Sequence, residues 1–169
     1  MAYTTINKSS DYFNTKLYTG SGSAQSLTGV GFQPDWIWIK NRSYADHHKA
    51  VDRVRWVSSS NSAQLSPNQT SAAGTQGIIT SFDSDGFTLT TGDRGWNSSN
   101  GDNFVSWNWK ANGQGSSNTD GTINTTYTSA STTSGFSIST WTGTGSNGTI
   151  GHGLGAVPKM LIIKSTSNT

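Results

Sequence analysis

The most apolar run in the chain is Trp36-Ile-Trp-Ile, closed by Lys40. A run this short, apolar at successive positions, reads as a strand covered on both faces, in the interior of a sheet. Pro34 stands just ahead of it, where it removes no ladder bond. Residues 104–110 alternate instead. Val105, Trp107 and Trp109 fall on one face; Phe104, Ser106, Asn108 and Lys110 fall on the other. A period of two marks a half-buried strand. Trp36/Trp38 and Trp107/Trp109 are i, i+2 pairs, each on one face of its strand. Those faces are expected to pack into the core, so that Trp38→Ala or Trp107→Ala costs about 3–5 kcal/mol. A platform stacking on sugar rings or bases is the other use of such stripes.

Shorter strands are expected at residues 16–19, 78–82, 87–90, 122–127, 136–141 and 160–163. Asp83-Ser84-Asp85-Gly86 has the chemistry of a hairpin turn. Residues 48–57 alternate less clearly and read as a strand, with a short helix as the alternative. Residues 58–74 and 92–102 are long polar loops. Short strands at this spacing predict an all-β chain folded as a two-layer antiparallel β-sandwich, jelly-roll or lectin-like.

The pattern also repeats. FNTKLYTGSG from Phe13 returns as FSISTWTGTG from Phe136, and the apolar strand ending at Lys40 returns as MLIIK ending at Lys164. A repeat that long is a whole domain rather than a solenoid rung. The expected organisation is a first sandwich unit with an N-terminal arm at 1–112, a linker at 113–121, and the beginning of a second, truncated unit at 122–169. On this reading the natural chain continues past Thr169.

Composition narrows the function. Only 12% of residues are charged, net charge is +2, and every acidic residue is Asp. No basic run suggests a nucleic-acid surface. There is no Cys, hence no disulfide or thiolate site. The first residues lack an apolar export segment, and no stretch is long enough to span a membrane as a helix. An outward-facing protein without such a segment could leave the cell as part of a virion.

Candidate chemistry is sparse. Asp83 and Asp85 could open a calcium loop, but such loops need more oxygen ligands and a late acidic residue, so the turn reading is preferred. His47 and His48 lie beside Asp46 and Asp52, yet adjacent strand residues point to opposite faces and rarely share a metal. No pair of carboxylates stands out for glycoside hydrolysis. The expectation is a non-enzyme with no cofactor and no metal. Trp96 differs from the other tryptophans. It sits in Gly95-Trp96-Asn97-Ser98-Ser99-Asn100 among turn formers. It is expected to be exposed, with Trp96→Ala costing under about 1 kcal/mol. Trp96, Asn97 and Asn100 are therefore the ligand- or partner-binding candidates.

LYTGSG (17–22), LTGVGFQPDWIWIK (27–40), TSFDSDGFTL (80–89) and VSWNWK (105–110) resemble a repeated β-domain found in virion proteins of tailed, particularly marine, bacteriophages. Trp56 departs from the pattern, standing where Gly is expected. The resemblance implies a structural virion protein, tail-fibre-like, as the N-terminal, particle-anchored part of a fibre or surface appendage. It implies other virion proteins as partners, a homo-oligomer, trimeric in the manner of phage fibres, and location in the virion. It carries no catalytic residues. A carbohydrate-binding module for host surface glycans is the alternative. Neither reading calls for nucleic acid or a membrane.

Overall fold

The computed structural model describes residues 6–167. Among these residues a single 3₁₀ turn, Ser9–Asp11, precedes nine strands: β1 Phe13–Thr19, β2 Gln25–Thr28, β3 Trp36–Asn41, β4 Lys49–Asp52, β5 Ile79–Asp83, β6 Gly86–Leu89, β7 Asn103–Trp109, β8 Tyr127–Ser131 and β9 Phe136–Thr140. Four form one antiparallel sheet in the order β1-β7-β3-β4, and three form a second in the order β2-β6-β5. The two pack as an all-β sandwich. β8 and β9 make a separate hairpin.

The core lies between the sheets. Ile37 and Ile39 of β3, Val51 of β4 and Phe104 of β7 meet Leu27, Ile79, Phe87 and Leu89 of the smaller sheet, with Ile78, Tyr18 and Trp96 closing the ends. Each fully buried Ile, Leu or Phe here contributes about 1.5–3 kcal/mol relative to exposure. β3 is interior to its sheet, as its apolar run requires. The hairpin turn falls where the sequence puts it, with Asp83 paired to Gly86. Asp85 accepts hydrogen bonds from the backbone N–H groups of Gly29 and Gly31 at 2.9 and 2.6 Å. Those bonds hold its carboxyl below the usual carboxylate range. Asp83 accepts from Ser81 and Thr88.

The faces of β7 are the reverse of the expectation. Phe104, Ser106 and Asn108 point inward, and Trp107 and Trp109 point out, half-buried. A count of apolar side chains favours the Val105/Trp107/Trp109 face. The register decides otherwise. Ile39 stands opposite Ser106 and Ile37 opposite Asn108, so the small polar residues of β7 leave room for the isoleucines of β3. Their polarity is met in part, Asn108 Oδ1 being buried without a hydrogen-bond partner among the described residues. Asn108 Nδ2 donates to Asn14 O and to Ser106 Oγ, and Asn14 donates to Val30 O.

Other elements also shift. Only four residues of the 48–57 segment form a strand, and the chain turns at residues 53–55. Trp56 lies beyond that turn, its Nε1 donating to Ile79 O and its ring meeting Phe82 edge-on. Residues 113–121 are not a loose tether. Ser116 pairs with Thr128, and Asn118 is bonded to Thr125. The strand expected at residues 122–127 begins instead at Tyr127. The strand expected at residues 160–163 is not formed, and its side chains lie exposed.

Candidate functional site

The outward face of the larger sheet carries three rows of side chains set by strand pairing. Phe13, Trp109 and Trp36 form the first; Thr15, Trp107 and Trp38 the second; Leu17, Val105 and Lys40 the third. Alternation dictates this, since every second residue of β1, β7 and β3 must emerge on the same side. The Trp109 and Trp36 rings are 4.6 Å apart, and Phe13 meets Trp109 at 4.9 Å. Phe136 of β9 stacks on Trp36 at 5.7 Å, covering the first row. The second row is open. Trp38 and Trp107 stand edge to face at 6.3 Å, and with Trp109 and His48 they line a shallow cleft of about 290 Å³.

His48 fixes one wall of that cleft. Trp38 Nε1 donates to His48 Nδ1 at 2.8 Å, which places the imidazole proton on Nε2. Burial lowers the His48 pKa from 6.5, assisted by the charges of Lys40 and His47, so the ring is neutral at physiological pH. A rigid indole pair beside a neutral imidazole donor suits an uncharged ligand with one apolar face and polar edges. His47 turns away and bonds to Asn68 and Gln69. Among the described residues no group of three or more His, Cys, Asp or Glu is placed to hold a metal ion.

The loop expected to carry the site is structural. Trp96 is buried to 5% exposure in the core, against the expectation of an exposed ring. Asp93 makes the difference. Its carbonyl accepts from the Trp96 and Asn97 N–H groups and its carboxylate from the Gly95 N–H, curling the loop inward. Tyr18 then donates its hydroxyl to Trp96 O at 2.7 Å. Gly92 lies so close to the Trp96 indole nitrogen that no side chain fits there. Asn97 is fully buried. Its Oδ1 accepts from Ser21 N and Gln25 Nε2, and its Nδ2 donates to Ser23 O and Thr90 O. It clamps the polar loop to two neighbouring turns. Of the three candidates only Asn100 is exposed, and it does not line the aromatic cleft. The i, i+2 spacing of the tryptophans did signal a shared face. What the spacing lacked was the direction of that face.

No curated protein and no solved structure matches this chain. Residues 8–169 match the family described as Domain of unknown function (DUF7483), and the chain belongs to that family.

Proposed function

We propose that this domain is a non-catalytic glycan-binding module, built into a structural protein of a tailed-bacteriophage virion and facing the host surface. The observation that carries the reading is the open aromatic row, Trp38 and Trp107 with Trp109 and His48, on the outside of the sandwich. Half-buried indoles aligned on an outer sheet face support a binding role. The apolar face of a pyranose ring can lie on an indole while its hydroxyls reach His48 Nε2 and the Thr15 hydroxyl at the rim. A nucleobase would fit the rings as well, but single-stranded nucleic acid also needs a positive groove, and the chain carries a net charge of only +2.

The virion setting rests on the resemblance and on the internal repeat, which suits a surface array. A glycan array printed with bacterial surface polysaccharides tests the binding. The wild-type chain is expected to bind a subset of spots, and Trp38→Ala and Trp107→Ala to weaken that binding by about tenfold or more. Trp96→Phe, a change confined to the core, is expected to retain it. Absence of binding by the wild type to any glycan would remove the reading. Mass spectrometry of purified particles tests the setting, and absence of the protein from virions would refute it.

A further inference from the structure

The second copy of the repeat leaves one strand edge open. In the first copy, β7 lies between β1 and β3. The ladder is bracketed by Gly20 N donating to Asp102 O and Lys110 N donating to Tyr12 O. Antiparallel alternation therefore turns the backbone groups of Asn14, Lys16 and Tyr18 toward β7. Aligning Phe13 with Phe136 makes β9 the counterpart of β1, and makes Ser137, Ser139 and Trp141 the counterparts of those three residues.

The edge they use is open. Thr128 of β8 gives both its N–H and its C=O to Ser116, on the side away from β9. Its partner on β9, Ser139, therefore turns its own backbone groups away from β8. No other hydrogen bond to the Ser137 or Ser139 backbone occurs among the described residues. The edge that holds β7 in the first copy is thus the edge left unpaired in the second.

The counterpart of β3 is unpaired as well. Met160, Leu161, Ile162 and Ile163 align with Trp36, Ile37, Trp38 and Ile39. Ile37 and Ile39 are fully buried, whereas residues 160–163 are 77%, 70%, 54% and 72% exposed. Among the described residues, the end of the segment is held by Lys164 Nζ donating to Ser71 O and Ala73 N donating to Thr166 O. Four consecutive exposed apolar residues and an open strand edge are each a template for an added strand.

We propose that β9 and residues 160–164 form an acceptor for one further strand with the alternation of β7, supplied by another unit of the same kind. That strand would bond β9 through the Ser137 and Ser139 backbone on one side and the 160–164 segment on the other, burying Leu161 and Ile163 as Ile37 and Ile39 are buried. The inference is independent of saccharide binding, which concerns the first copy's outer face.

The test compares the chain as it stands with one in which residues 41–112 are repeated directly after Lys164. The chain has no cysteine, so single thiols report cleanly. In the original chain, Leu161→Cys and Ile162→Cys are expected to be alkylated at similar rates, and the Ser139 amide to exchange far faster than that of Lys16. In the extended chain the Leu161→Cys thiol and the Ser139 amide are expected to slow by about 100-fold, and Ile162→Cys by much less. Equal rates in both chains would overturn the proposal, whether the added segment stays unfolded or packs elsewhere. So would protection of Ser139 and Leu161→Cys already present in the original chain.

Discussion

At the residue scale, Trp96 and Trp107 place the same side chain in opposite surroundings. Trp96 is buried in the core beside Tyr18 and Phe104; Trp107 stands half-buried on the outer face. Truncating a buried Trp removes a large volume that its neighbours cannot refill, so Trp96→Ala is expected to cost about 3–5 kcal/mol. Trp107→Ala leaves a surface notch rather than a cavity and is expected to cost about 1 kcal/mol. Urea titration of both variants checks the order, and a larger loss at Trp107 would contradict it. His48 supplies a pH effect. Its folded pKa lies below the unfolded 6.5, so over the interval beneath 6.5 the unfolded chain binds more protons. Its contribution is whole above pH 6.5 and is lost as pH falls toward the folded value. Thermal midpoints measured from pH 7 to pH 5 are expected to drop less in His48→Gln than in the wild type.

At the element scale, strands and turns are held by a few buried polar groups. Asp35, 2% exposed, is the main one. Its carboxylate accepts from Ala111 N, Gly113 N and Arg53, and so fastens the segment after β7 to the start of β3. Asp35→Ala leaves those N–H groups unpaired. Because Arg53 is partly exposed, the loss is expected to be about 2–3 kcal/mol. Hydrogen exchange is expected to show the Ser116–Thr128 pairing opening first, and unchanged protection there would contradict the role. Much of this level was legible in the sequence. The unbroken apolar run of β3, the Asp-Gly hairpin and the alternation of β7 each follow from local chemistry. The inward face of β7 did not. A period of two separates two faces without saying which meets the second sheet, and the answer lay in the isoleucines of a partner strand. The Asp93 turn that buries Trp96 was hidden for a related reason, since a loop rich in turn formers looks the same whether it curls in or out. Residues 160–163 were read as a strand from composition, but a strand needs a partner.

At the scale of the whole molecule, the larger sheet directs the isoleucines of β3 inward and the tryptophans of β3 and β7 outward. That division is the basis of the functional account. Aliphatic side chains fill the space between two close sheets, leaving the indoles on a rigid outer surface where stacking needs little reordering. With 12% charged residues and no net field of consequence, recognition there is expected to change little between low and high salt. The most direct measurement is an NMR titration of the intact chain with the soluble polysaccharide repeat selected by the array, following the indole N–H resonances. The account predicts shifts at Trp38, Trp107 and Trp109 with Trp96 unmoved. Shifts centred on Trp96, or none at the outer tryptophans while the chain binds, would contradict it.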